Sequence, residues 1–130
     1  MGQADTSRVE EAYRSLNERD LDGFGAAFAE DAVWYGGGGE VAGREAIVSV
    51  IRELIALSGD TLEVDINDVL ANEGHTVVLQ TTKARLGDRV LEDRVVYVFH
   101  MNDEGLIQEA FFNGDPSVQN EFYGAAASKG

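Results

Sequence analysis

The hydrophobic pattern of this chain changes once, near Thr61, and that change constrains the fold more than any motif does. Before Thr61 apolar residues recur every three or four positions, and after it they alternate with polar ones. The first pattern is typical of amphipathic helices and the second of half-buried strands. We therefore expect an α+β domain in which helices cover one face of a curved, mainly antiparallel sheet. A length of 130 residues predicts a single domain, with a core over about residues 7–122.

Three helices are predicted before the change. In the first, Ser7 and Glu10 have the spacing of a capping box. Its buried face would hold Val9, Ala12, Tyr13 and Leu16. Asp20 is expected to cap a short second helix, and the third helix begins near Arg44 and ends at Gly59.

After Thr61 the alternation predicts successive antiparallel strands. They are expected at residues 62–67, 76–86, 89–101 and 106–113. A further strand, over 32–35, lies between the second and third helices. The small residues of 124–130 predict a loose tail.

Composition excludes several classes of function. Lys and Arg number 10 against 24 Asp and Glu, which gives a formal net charge of −14 at pH 7. Such a charge disfavours both nucleic acid and anionic membranes as partners. The sequence has no cysteine, so thiol chemistry is excluded. The polar segment 1–20 lacks a signal-peptide pattern, and we expect a cytoplasmic protein.

Strand alternation predicts a pocket on the face that carries the bulky aromatic residues. This inner face also receives four polar side chains, Gln80, Thr82, Asp93 and Tyr97. A mostly apolar concavity with a few convergent polar groups is typical of a ligand site. The alternative is a core whose polar atoms are all paired. Asp93 has two interpretations: an inward proton shuttle, or a carboxylate at the rim paired with a surface Lys or Arg.

The opposite, outer face carries an apolar patch where water would be expected. Its members are Val77, Leu79, Val96, Val98 and Phe111, with Lys83, Arg85, Glu92 and Arg94 around them. Large exposed apolar patches indicate interfaces, so we predict a homodimer through this face. The alternative is that segment 118–123 folds over the patch.

The glycine run and the two histidines are further candidate sites. The glycines at 36–39 are not followed by a phosphate-binding sequence and predict a flexible loop or a lid. His75, expected in a turn, and His100, on the outer face, share no ligand spacing, so no metal site is expected. We interpret both histidines as surface or interface residues.

Several segments carry a family resemblance. They are Tyr13-Arg-Ser-Leu-Asn-Glu-Arg-Asp-Leu-Asp-Gly, Phe28-Ala-Glu-Asp-Ala-Val-Trp, Gly43-Arg-Glu-Ala-Ile, the stretch 96–109, and Asn113-Gly-Asp-Pro. Over about residues 7–122 the chain resembles the SnoaL-like branch of the nuclear transport factor 2-like superfamily. The resemblance implies a cone-shaped α+β barrel with a pocket. That fold serves isomerases, cyclases, dehydratases, epoxide hydrolases and non-catalytic binding proteins.

The catalytic positions of similar enzymes can be compared with this chain. The general base of ketosteroid isomerases would fall at Gly36, and their helix-one tyrosine at Ala12, beside Tyr13. Their buried acid would fall at Tyr97, which can still donate a hydrogen bond to an oxyanion.

The catalytic residues of other members of the superfamily would also fall at positions where this chain has different residues. The charged residues of limonene epoxide hydrolases would fall near Gln80, Thr82 and Phe112, and the cyclase aspartate also near Phe112. The known proton-transfer sets are therefore absent.

Two hypotheses follow for a small, apolar, oxygen-bearing ligand. The first is a cofactor-independent cyclase, isomerase or dehydratase, in which Tyr97 donates to a ligand oxygen and Asp93 is the general acid or base. Gln80 and Thr82 would orient the ligand. The pocket walls would be Tyr13, Phe28, Trp34, Ile51, Leu54, Phe99 and Phe112. The second is a binding protein that uses the same pocket without chemistry.

Overall fold

A computed structural model describes residues 6–36 and 39–128. Its helices are α1 (Ser7–Asn17), α2 (Leu21–Gly25), α3 (Arg44–Leu57) and α4 (Pro116–Ser128). Its strands are β1 (Phe28–Gly36), β2 (Gly39–Ala42), β3 (Glu63–Ala71), β4 (His75–Leu86), β5 (Arg89–Met101) and β6 (Ile107–Asn113). The α+β class is thus confirmed, with a fourth helix that the sequence analysis did not predict.

The six strands form one mixed sheet in the order β2-β1-β6-β5-β4-β3. Every neighbouring pair is antiparallel except β1 and β6, which run parallel. The long hairpin of β4 and β5 is paired from His75↔His100 to Leu86↔Arg89 without interruption. This register sets the alternation along both strands, so residues directly opposite each other share a face.

Helices α1, α2 and α3 lie against the inner face, and the main core lies between them and the sheet. The α1 residues Val9, Ala12, Tyr13 and Leu16 are buried, as their helical spacing predicts. From α3, Ile47 and Ile51 enter the same core as Val78 and Phe99 of the sheet. The Tyr13 ring meets the Phe99 ring edge-on, with centroids 6.3 Å apart. The core thus reaches from the first helix to the C-terminal part of β5.

Helix termini partly follow the sequence prediction. The Asp20 carboxylate accepts a hydrogen bond from the Gly23 amide at the start of α2, as expected. The predicted capping box at Ser7 is wrong, because Thr6 is the N-cap residue of α1 and its hydroxyl donates to Glu10. The box spacing fits Ser7, but the helix begins one residue earlier.

The C-terminal segment differs most from expectation. Residues 124–128, predicted as a loose tail, belong to α4. Phe122 and Tyr123 are buried against Ala84 and Leu91, which lie on the inner face. The alternative that segment 118–123 covers the outer patch is therefore wrong.

The glycine run contributes to two strands. Gly36 ends β1 and Gly39 begins β2, a short strand that the sequence analysis missed. Gly36 and Gly39, both assigned to the predicted loop or lid, are thus strand residues paired with each other, and Gly37 and Gly38 lie outside the described residues. His75, placed in a turn by the sequence analysis, is instead the first residue of β4.

Candidate ligand cavity

A cavity lies between the inner face of the sheet and the helices. Its volume is about 90 Å³. On the same scale one ordered water needs roughly 10–15 Å³. Its polar lining side chains are Tyr13, Gln80, Thr82, Tyr97, Gln119 and Tyr123. Its other lining residues are apolar, and no charged residue from the described part of the chain lines it. The cavity therefore suits a small neutral molecule.

One polar chain crosses the sheet side of the cavity. The Tyr13 hydroxyl donates a hydrogen bond to the Gln80 Oε1, and the Gln80 Nε2 donates to the Thr82 Oγ1 at 3.2 Å. Gln80 and Thr82 share a face because they are two residues apart on β4. Burial raises the pKa of Tyr13 well above its ordinary value of 10.0, with Tyr97 adding to the rise. Tyr13 is therefore a protonated donor, and its hydrogen bond is already taken up by Gln80.

Tyr97 also places a hydroxyl in the cavity, and this hydroxyl can donate a hydrogen bond to a ligand. Its ring packs edge-on against Trp34 with centroids 5.7 Å apart. Burial raises the pKa of Tyr97, and the adjacent Trp34 indole offsets part of that rise. Among the described residues no acceptor lies within hydrogen-bond distance of the Tyr97 proton. Tyr97 can therefore donate to a ligand oxygen.

Asp93 and the final helix meet at the far end of the cavity. Asp93 is half-buried, lies directly opposite Thr82, and accepts a hydrogen bond from the Gln119 Nε2 at 3.2 Å. Neither sequence interpretation of Asp93 foresaw this partner. Gln119 itself lines the cavity, whereas Asp93 does not. The carboxylate therefore reaches the cavity only through the amide of α4.

The structure brings most of the sequence-predicted site residues together. The cavity is lined by Tyr13, Phe28, Trp34, Ile51, Leu54, Gln80, Thr82, Tyr97 and Phe99. Phe112 and Asp93 lie outside the lining. Phe112 still supports the site, because its ring packs edge-on against Tyr97 with centroids 5.5 Å apart.

Sequence reasoning missed the two cavity residues of α4, Gln119 and Tyr123. A signal for that helix was present in Asp115 and Pro116, since an aspartate N-cap followed by proline is a typical helix start. In the structure the Asp115 carboxylate accepts hydrogen bonds from both the amide and the hydroxyl of Ser117. These bonds lower the pKa of Asp115.

The outer face carries one continuous apolar row. Strand registers place Leu70, Val77, Val98, Phe111 and Tyr35 side by side across five strands. The Tyr35 and Phe111 rings stack with centroids 5.1 Å apart and planes 7° from parallel. Leu79, next to this row, is 38% exposed. In the described residues, then, no element covers this face.

A polar row borders the apolar one. His75 and His100 are paired across β4 and β5, and their rings stack with centroids 5.0 Å apart. The His100 Nδ1 lies 3.0 Å from the Glu109 Oε1. Within residues 6–36 and 39–128 no three His, Asp or Glu side chains are arranged to hold a metal ion. In the same part of the chain, no helix is long and apolar enough to cross a bilayer.

Comparison with known proteins identifies the family. Residues 9–110 match the SnoaL-like domain. No curated protein sequence matches the chain significantly.

Solved structures show the same fold. Bal32a, from a soil-derived mobile gene cassette, has a TM-score of 0.84 at 22% identity, over 91% of this chain and 95% of that one. A Mycobacterium tuberculosis LEH-like epoxide hydrolase has a TM-score of 0.71 at 19% identity, over 94% and 90%. RV0760c from Mycobacterium tuberculosis, in complex with estradiol-17beta-hemisuccinate, has a TM-score of 0.75 at 18% identity, over 89% and 98%. The chain thus belongs to the SnoaL-like domain family.

Proposed function

We propose that this protein binds a small, neutral, mainly apolar molecule through one acceptor oxygen. The observation that carries the proposal is the Tyr97 hydroxyl, which lines the mainly apolar cavity and donates to no acceptor among the described residues. Its high pKa keeps the proton in place at physiological pH. A donor of this kind recognises a carbonyl, ether or phenol oxygen.

The uncharged lining supports the same proposal. A buried ion without a partner is strongly disfavoured, so a charged ligand group would have to remain at the mouth. RV0760c, of the same fold, has been crystallised with an estradiol hemisuccinate. That likeness concerns the fold alone, and the ligand class proposed for this chain rests on its own cavity.

A matched pair of ligands tests the proposal. 2-Acetylnaphthalene carries a ketone, and 2-ethylnaphthalene has nearly the same shape without the oxygen. Trp34, the only tryptophan, lines the cavity, so quenching of its fluorescence reports binding. The wild type is expected to bind the ketone about three- to tenfold more tightly, which is the usual contribution of one hydrogen bond.

The Tyr97→Phe variant should lose that preference, while Tyr35→Phe, a tyrosine of the outer face, should keep it. Equal affinity for both ligands in the wild type would contradict the proposal, and so would an undiminished preference in Tyr97→Phe. Failure of the ketone to bind would contradict it as well.

The second candidate is proton transfer on the bound ketone, with Asp93 as the base. Its support is that Asp93 is half-buried on the inner face and separated from the cavity only by the Gln119 amide. If Gln119 turned aside, the carboxylate would take a proton from the carbon next to the carbonyl. At that end of the cavity Thr82, directly opposite Asp93 and part of the lining, would donate to the enolate oxygen, and Asp93 would return the proton.

Hydrogen exchange in D₂O separates the two candidates. Deuterium uptake into the methyl group of 2-acetylnaphthalene, followed by ¹H NMR, is expected for an enzyme and not for a binding protein. An enzyme should lose this activity in Asp93→Asn. If the ligand binds but its deuterium uptake does not exceed the protein-free rate, the result supports a binding function and contradicts proton transfer.

We also infer a homodimer through the outer face, in which a second copy covers the apolar row. Three of the ten basic residues, Lys83, Arg85 and Arg94, lie on this face of a strongly acidic chain, beside Glu92. In a two-fold arrangement each copy presents the same surface, so cations of one copy can oppose acids of the other. The apolar row and the mixed charges around it both fit a second copy.

Light scattering at micromolar concentration tests the dimer. We expect a dimer mass for the wild type and a monomer mass for Leu79→Glu, since a buried charge disfavours association. Val118→Glu, on the exposed side of α4, is the control and should stay dimeric. A monomeric wild type would contradict the inference. The cytoplasmic location stays a prediction.

A further inference from the structure

We propose that Gln119 is a specificity-determining residue, whose amide oxygen accepts a hydrogen bond from a hydroxyl on the ligand. The inference rests on the proposed binding function and extends it from one polar contact to two. It assigns the ligand class as an apolar molecule with an acceptor oxygen at one end and a hydroxyl at the other.

The position of Gln119 on α4 is the first support. Gln119 and Tyr123 are four residues apart on this helix and therefore lie on one face. Both line the cavity, and Tyr123 is buried. Val118 and Asn120, on either side of Gln119, are exposed. The helix thus presents one amide to the cavity and keeps its neighbours in solvent.

The hydrogen bond to Asp93 determines which end of that amide is available. The Gln119 Nε2 donates to the Asp93 Oδ2 at 3.2 Å. A carboxylate accepts and never donates when ionised, so it holds the NH₂ end of the amide. Among the described residues no donor lies within hydrogen-bond distance of the Gln119 Oε1. Asp93 therefore acts as a positioning residue, and the amide oxygen is left to a ligand donor.

The two contacts are separated along β5. Asp93 and Tyr97 lie on the same face of β5, four residues apart, which is about 13 Å along a strand. Tyr97 offers a donor at one end and Gln119 an acceptor at the other. Opposite polarity at the two ends fixes the direction of the ligand, because a reversed ligand would place its carbonyl oxygen against the Gln119 oxygen, acceptor against acceptor.

Two ligands that differ by one hydroxyl test this assignment. 6-Acetyl-2-naphthol is 2-acetylnaphthalene with a hydroxyl at the opposite end of the ring system. Calorimetry should show the wild type binding the naphthol about three- to tenfold more tightly. In Gln119→Leu the ratio of the two dissociation constants should fall to about one. Asn120→Leu, the adjacent exposed amide, should keep the wild-type ratio.

The ratio of the two dissociation constants also tests the role of Asp93. Asp93→Ala should lose the hydroxyl preference because the amide is no longer oriented. Asp93→Asn retains an acceptor oxygen for the Gln119 Nε2 and should restore most of it. A purely structural role would change both affinities together and leave their ratio unchanged.

The outcomes distinguish this inference from the proposed function. A ratio near one in the wild type, or an unchanged ratio in Gln119→Leu, overturns the role of Gln119 alone, provided that Tyr97→Phe weakens ketone binding. An unchanged ratio in Asp93→Ala overturns the positioning role. Failure of both ligands to bind the wild type overturns the proposed function and this inference together.

Discussion

The inner and outer faces of the sheet have similar apolar content but different surroundings. The inner face, with Val78 fully buried, is covered by four helices and contains the cavity. The outer face, one residue away at Val77, carries an apolar row that no described element covers. Apolar alternation alone therefore does not indicate which face is a core and which face the helices leave uncovered.

The polar groups of the two faces differ in their exposure to solvent. On the inner face Gln80, Thr82 and Tyr97 line the cavity, and Gln80 bonds both Tyr13 and Thr82. On the outer face, Lys83 and Asp65 form an exposed ion pair at 2.8 Å. Polar residues that are enclosed can recognise a ligand, whereas exposed ones mainly interact with water.

The largest expected effect distinguishes two adjacent residues of β4, one on each face. Val78→Asp should abolish folding, since an unpaired buried charge costs more than ~4 kcal/mol. Val77→Asp should leave the monomer folded, with a loss of about 1 kcal/mol, and prevent association. Urea unfolding followed by circular dichroism checks both. Val78→Thr and Val77→Thr are milder variants, and equal losses in that pair would contradict the difference between the faces.

The second prediction concerns pH and the helix that covers the inner face. Burial raises the pKa of Tyr123 from 10.0 to about 12. The unfolded chain therefore loses this proton first, and stability falls as pH rises from 10 towards 12, by up to about 3 kcal/mol. Below pH 10 this group has no effect. Tyr13 and Tyr97 add to the same fall, since their pKa values are raised too. Tyr123→Phe should therefore make the fall in urea midpoint less steep over that range, and an unchanged slope would contradict the burial of Tyr123.

The third prediction concerns Asn17, which holds α1 to the edge strand β3. Its Nδ2 donates to the Val64 carbonyl at 2.8 Å, and its Oδ1 accepts from the Val64 amide at 2.9 Å. Asn17→Ala should cost about 1–3 kcal/mol, because both backbone groups lose their partner. Asn17→Asp keeps the acceptor and should be less harmful. Hydrogen exchange at the Val64 amide should accelerate in the alanine variant, and unchanged protection would refute this role.

The smallest effect is expected at the Lys83–Asp65 pair of the outer face. The pair raises the pKa of Lys83, chiefly through the hydrogen bond to Asp65. Its contribution is present below the ordinary lysine pKa and is lost as pH rises past the raised value. Because Lys83 is exposed, Lys83→Met should change the melting temperature least of all these variants. A change that matches that of Asn17→Ala, or that persists in high salt, would contradict a screened surface pair.

Local patterns predicted much of this fold. The predicted bounds of β5 agree with the structure, and those of β4 differ by one residue. The inner-face assignment of Gln80, Thr82 and Tyr97 is confirmed, because alternation depends only on strand geometry. β2 was missed, since it is only four residues long and two of those are exposed glycine and glutamate.

Contacts between distant residues were the part that sequence did not predict. His75 and His100 are 25 positions apart and stack only because the β4–β5 register places them opposite each other. A shift of one residue would move every partner to the other face. The covering of the inner face by α4 likewise depends on packing of Phe122 and Tyr123, which no local period reveals.

The sequence by itself determined the two faces of the sheet, the order of the main helices and strands, and the acidic surface. These properties follow from local periodicity and composition. The tertiary structure decided which face encloses a cavity and which polar groups meet there. Tyr13 bonds Gln80 across 67 positions and Gln119 bonds Asp93 across 26. Such pairs depend on the folded path of the whole chain, so they become visible only when the helices are placed on the sheet.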